Sequence, residues 1–254
     1  MIASLFRPSM FHMRDDLLRE PIAAVDWAIA QLEITKSRVE AWCKPMPYTL
    51  VTELDPKMGK KAIKYLPVDI PSVINVEAGV IINCIRSSLD ILAVALAARN
   101  GFPNSKDTYF PICGSVNDFV DPLDGGLKKI KRLSDRDRTI IERLAPYQGG
   151  NDMLYALHQM DITRKHRKLL TAHCDLQFSL GGTNIAPIWS HELPIEERPE
   201  DKTILAWINP GAPDAYAGLT VEVSLARGET LAPAPVAPAL REFCSLAYSI
   251  IGLF

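Results

Sequence analysis

Apolar and polar positions along this chain follow first one period and then another, and each change of period marks an element. From about Pro21 to Cys43 the apolar positions Val25, Ile29, Leu32, Val39 and Cys43 recur at steps of three and four, with Lys36 at one expected apolar slot. That spacing predicts an amphipathic helix of several turns. "PYTLVTEL" and "KAIKYLPV" then flank "DPKMGK", where Asp55-Pro56 opens a turn and Gly59 supplies a positive φ. A β-hairpin over about 48–68 is predicted. A second long helix is predicted from near Ser72 to "RNGFP", preceded by Pro71, capped by Asn100 and Gly101 and barred from continuing by Pro103.

After "TYFPI" the chain is rich in loops, with a short helix predicted from Ser134 to Leu144. Ser134 is its N-cap and Asp135 and Asp137 stand in its first turn. Pro146 and "QGGND" end it, and a third long helix is predicted from about Asp152 to Leu170. "TAHCDLQFSLGG", "TILAWI" and "LTVEVSLA" switch to strand-like composition and predict a small antiparallel sheet. "LAPAPVAPAL" reads as a semi-rigid linker over 231–239, ahead of a last apolar helix from Leu240 to Phe254. No repeat of 20–50 residues is present. The pattern predicts one α+β domain, mainly a bundle of about four long helices. Its helical core covers about 13–175 and its β-rich segment about 171–228.

Composition narrows this picture. The 254 residues are 48% hydrophobic, enough for a substantial core, and the 28 basic and 30 acidic residues nearly cancel. No overall field draws the chain to nucleic acid or to a membrane surface. The five cysteines, at 43, 84, 113, 174 and 244, contain no C-x-x-C pair, which predicts reduced thiols and a cytoplasmic protein. The opening "MIASLFRPSMFHMR" has too short an apolar run for a signal peptide, and no membrane partner is expected.

The second helix carries the candidate chemistry. "VIINCIRSSLDILAVAL" is apolar on most sides, yet Asn83, Arg86, Ser87 and Asp90 fall on one face at 3.6 residues per turn. Such a stripe lines a cleft or is satisfied by another element, because an unpaired buried charge is costly, roughly 3–5 kcal/mol for a broken pair. The natural source of partners is "LHQMDITRKHRKLL", the densest cluster of ionisable residues. On that helix His166 shares a face with Tyr155, Ile162 and Leu169, His158 lies beside it, and Asp161 and Lys165 are spaced for an ion pair. One reading is an internal network in which Arg86, Asp90 and His166 tie two core helices together. The other is an acid–base site, in which Arg86 steadies phosphate charge, His166 moves the proton and Asp90 or Asp161 orients the imidazole. Asn83, Ser87, His158, Asp161, Lys165 and Arg167 are the candidate binding residues around it.

The ordered set "PY", "R-S-x-L-D", "YFPI", "PYQGGND" and "LHxMDxxxKHR", spread over about 13–175, resembles a widespread uncharacterised bacterial protein family. Within the second helix there is also a weaker similarity to the HEPN superfamily. That resemblance implies an all-helical bundle of the toxin and defence type. It also implies metal-independent RNA cleavage by an R-x4-6-H motif shared across a homodimer. Arg86 matches the arginine of the motif, but Ile91, Leu92 and Ala93 stand where its histidine would fall. His166, from another helix, would have to take that place.

Other motifs point less far. His158, His166 and His173 are spaced by eight and seven, without the i, i+4 pair of two ligands on one turn, and no metal or other cofactor is expected. "YQGGND" and "LGGTN" match no phosphate-binding glycine pattern, and G-x-S-x-G is absent. "GLKKIKRLSDRDR" reads as an exposed, salt-bridged face. The apolar "CSLAYSIIGLF" would pack on the bundle or form a dimer contact. The leading expectation is a non-catalytic, HEPN-like binding or regulatory protein with RNA or a protein as partner and a homodimer as its assembly. A metal-independent endoribonuclease and a structural interaction module are the alternatives.

Overall fold

The computed structural model describes residues 10–45, 48–67, 69–103, 105–166, 170, 172–181, 203–209, 216–227 and 230–254. Along the chain run α1 (Met10–Cys43), β1 (Tyr48–Asp55), β2 (Lys60–Pro67), α2 (Ser72–Arg99), α3 (Val116–Val120), α4 (Gly126–Lys129) and α5 (Asp135–Arg143). They are followed by α6 (Asp152–His166), β3 (Ala172–Gly181), β4 (Thr203–Ile208), β5 (Tyr216–Arg227), β6 (Leu231–Pro235) and α7 (Val236–Ile251). The class is α+β and mainly helical, with α1, α2, α6 and α7 as the long helices.

α2 is the centre of the bundle and meets α1, α6 and α7. Its apolar side chains Ile82, Ile85, Leu89, Leu92 and Leu96 are wholly buried. By length and composition α2 could cross a membrane, but more than half of its most apolar window is buried inside the protein. Pro71 precedes its first turn, and the Asn100 N–H bonds the carbonyls of Leu96 and Ala97. Gly101 then takes φ +87°, the conformation a helix C-terminus needs and side chains resist. Arg99 in the last turn holds the buried Asp137 of α5 at 2.7 Å.

α1 begins eleven residues before the predicted start and runs through Pro21. Proline removes a helical hydrogen bond there. The preceding turn nevertheless has Leu17 and Leu18 against the core, and that burial offsets the loss. α6 covers Asp152–His166; residues 167–169 lie outside the described residues, and Leu170, where the sequence predicts the helix to end, is not helical. Asn151 caps its start, accepting from the Leu154 N–H at 3.1 Å. Ser134 caps α5 as its sequence predicts, accepting from the Asp137 N–H.

Two strand assignments differ from expectation. The strands form two three-stranded antiparallel sheets, ordered β1-β2-β4 and β3-β5-β6, so "TILAWI" joins the hairpin. A lone two-stranded hairpin is marginal in water, and a third strand stabilises it. The supposed linker 231–239 is instead the edge strand β6 and the first turn of α7. Its prolines fit both places. An edge strand can spare a donor, and Pro238 stands in the helix's first turn, where N–H groups have no helical partner. In the hairpin turn, Gly59 takes φ +60° and Asp55 Oδ1 accepts from the N–H groups of Lys57 and Met58.

The segment between α2 and α6 is held less by its short helices than by backbone bonds. Cys113 N–H donates to the Pro146 carbonyl at 3.0 Å, and Gln148 N–H to the Cys113 carbonyl at 3.3 Å. This bridge sets "YFPIC" beside "PYQGG". The Phe119 and Tyr147 rings meet at a tilt, their centroids 5.7 Å apart. Gly126 sits where a Cβ would strike the Phe119 ring and Cys113 Sγ, so α4 lies close over this corner.

Candidate functional site

Arg86 lies in the middle of α2 and is only 6% exposed. A guanidinium in that position must have its donors met. Nη1 donates to Asp90 Oδ1 at 2.7 Å, one turn on, and Nη2 donates to the Phe110 carbonyl at 2.9 Å. The same Asp90 oxygen accepts from the Phe110 N–H at 3.0 Å. Arg86 and Asp90 thus hold both backbone groups of one residue, and fasten the "YFPI" segment to the central helix. The third partner is His158 of α6, whose Nδ1 accepts from Arg86 Nε at 3.4 Å, a long contact.

That third contact decides the histidine's state. An arginine N–H can only donate, so His158 Nδ1 presents its lone pair and the ring proton sits on Nε2. Burial pushes the imidazole pKa down to about 4, with the Arg86 charge adding to the effect; the Asp161 carboxylate opposes it and Lys165 reinforces it. His158 is neutral at pH 7 and has a donor, not a base, left to offer.

Beside this network is a cavity of about 440 Å³. Arg86, Asp90 and His158 form part of its lining, together with the wall Tyr109 to Gly114. Asp118, Asp124, Gly125, Gly126 and Lys129 complete the lining. Lys129 Nζ stands over the Tyr109 ring, 5.4 Å from its centroid. Burial raises the Cys113 thiol pKa, and Asp118 adds to that; the Gly126 N–H and Lys129 oppose it. This thiol is not an activated nucleophile.

The predicted stripe therefore divides in two. Arg86 and Asp90 turn to Phe110 and His158. Asn83 turns to Asp161, donating from Nδ2 to Oδ1 at 2.9 Å, while Lys165 pairs with the other oxygen of Asp161 as its spacing predicts. Ser87 is half-buried and does not line the cavity. The expected position of His166 is corrected: it is exposed at the last residue of α6, and His158 is the histidine against Arg86. The physical reason is rotation around α6, which puts Leu154, Leu157 and Asp161 inward and leaves His166 exposed. Arg167 and the side chain of His173 lie outside the described residues.

Tyr109, Phe110 and Lys129 were not among the sequence-predicted residues. "YFPI" stands out as a motif, but the groups held there are the N–H and C=O of Phe110, which every residue except proline carries. Lys129 falls in the stretch read as an exposed salt-bridged face. Its neighbours fit that reading, with Lys128 on Asp124 and Arg132 on Asp107, but Lys129 itself turns to Tyr109.

No family model, curated protein or solved structure matches the chain.

Replacing Arg86 by Met leaves the Phe110 carbonyl unbonded and Asp90 without its cation. Because Asp90 is 40% exposed, water takes over part of the loss. We expect a stability decrease of roughly 2–3 kcal/mol in urea unfolding, and more than Asp90→Asn produces. The depressed His158 pKa makes folding pH-dependent. The unfolded imidazole protonates near 6.5 and the folded one near 4, so stability is complete above about 6.5 and falls as pH drops through this window. We expect about 3 kcal/mol to be lost there, and the loss to shrink in His158→Gln.

Proposed function

We propose that this chain is a non-catalytic binding or regulatory protein, HEPN-like in its helical bundle, whose polar centre holds one wall of a ligand cavity. The observation that carries the reading is the commitment of Arg86. Its guanidinium already bonds Asp90, Phe110 and His158, and its charge is offset by the carboxylate one turn away. A transition-state clamp needs a cation free to meet developing charge. Here the cation organises the protein's own backbone.

His158 supports the same reading. A general base needs a lone pair within reach of the substrate and a pKa near the working pH. The Nδ1 lone pair faces Arg86, and the pKa of about 4 leaves little driving force for taking a proton. The cavity, whose volume falls within the range of small-ligand sites, favours ligand binding over a purely structural interaction module. We assign the protein to the cytoplasm, where thiols such as Cys84 and Cys113 stay reduced.

RNA cleavage is the second reading, and the adjacency of an arginine and a histidine from different helices is what favours it. With His158 in place of His166 the pair would resemble the R-to-H arrangement of HEPN nucleases. The test is incubation of the purified protein with mixed cellular RNA in chelator, beside folded Arg86→Lys and His158→Gln variants. We expect the same RNA length distribution in all three and in the protein-free control. Cleavage by the wild type that disappears in His158→Gln would replace the binding reading with the nuclease.

A further inference from the structure

We propose that the cavity beside Arg86 is a site for a small organic cation, a primary amine or a guanidine, bound against the Tyr109 ring where the Lys129 ammonium now stands. The proposal rests on the binding reading above and names the ligand class for that site.

Charge is the first argument. The lining holds two cations, Arg86 and Lys129, against three carboxylates, Asp90, Asp118 and Asp124, with His158 neutral. The buried cation gives no opening to an anion. Asp90 already neutralises it at 2.7 Å, and its Nη2 is drawn to the Phe110 carbonyl. Asp124 is in turn paired with Lys128, and an anion entering would find its best partner, Arg86, already engaged.

The second argument is independent of that sum. The Tyr109 ring already receives a cation on its face, with Lys129 Nζ at 5.4 Å. Ring and ammonium both belong to the lining of the cavity. An aromatic face attracts a cation through its quadrupole, by about 0.5–1 kcal/mol at an exposed site. Lys129 therefore acts as the protein's own occupant of a cation position. A ligand amine that reached Tyr109 would release Lys129 to water and take its place beside the carboxylates.

The third argument is acceptor capacity. Asp118 receives Ser115 Oγ and Asp124 receives Lys128 Nζ at 3.4 Å. Each carboxylate retains further lone pairs, and Asp90 uses a single oxygen for both of its bonds. An ammonium or guanidinium has donors enough to meet several of these acceptors together.

The test uses four probes of one length on the full chain: n-butylamine, n-butylguanidine, n-butanol and butyrate, titrated by calorimetry at low salt. We expect saturable binding of the amine and the guanidine, with butanol and butyrate weaker. Asp118→Asn with Asp124→Asn, both at exposed positions, should weaken the cations roughly fivefold. Lys129→Gln should do the opposite and tighten them, because it removes the internal competitor; a merely structural role of Lys129 would not produce that sign. Tighter binding of butyrate, weaker cation binding in Lys129→Gln, or no saturable binding of either cation to the wild type would overturn the assignment. The binding reading stands or falls separately, on the RNA experiment.

Discussion

The structure depends on keeping one charged side chain, Arg86, inside a helix whose neighbouring positions Ile85, Leu89 and Leu92 are wholly buried. Removing a guanidinium from water costs several kcal/mol unless its donors and charge are met on the spot. No single element meets them here. Asp90 comes from α2 itself, the Phe110 carbonyl from the loop after it and His158 from α6. The cost of burying the charge is offset only when all three are in place. That makes the network a register pin for a region with little regular structure of its own, and the cavity exists because the Tyr109–Gly114 wall is fixed there.

The same constraint limits the chemistry. A histidine that accepts from an arginine N–H is set in one tautomer with its lone pair occupied. Arg86 therefore does two things at once: it fastens the Phe110 backbone and adds to the burial that keeps His158 neutral. Residues of the types found in acid–base sites are arranged here so that each satisfies another. The rest of the cavity lining carries Asp118, Asp124 and the Tyr109 ring.

The helices and the hairpin were legible because their signals are local. The step of three and four along α1, the Asp55–Gly59 turn, the Ser134 cap and the Asn100–Gly101 stop each depend on a few adjacent residues. The anomaly of Arg86 and Asp90 within an apolar helix was also legible, as was the Asp161–Lys165 pair. Their partners were not. Phe110 contributes only backbone atoms, which leave no mark on residue type. The choice between His158 and His166 turns on a rotation of α6 that its weak amphipathic pattern does not set. The strand β4 crosses to the hairpin because sheets pair at long range. The prolines of 231–239 suggested a linker because composition cannot distinguish an edge strand and a helix's first turn from one.

The most direct test of the network is the protonation state of His158 in the folded protein, read from its imidazole nitrogen shifts by NMR as pH is lowered from neutral. A network in which Arg86 Nε donates to Nδ1 predicts an unprotonated Nδ1, a protonated Nε2 and no titration until about pH 4. A proton on Nδ1, or titration close to the ordinary histidine value, would contradict it and would open to His158 the acid–base role that the sequence predicts for His166.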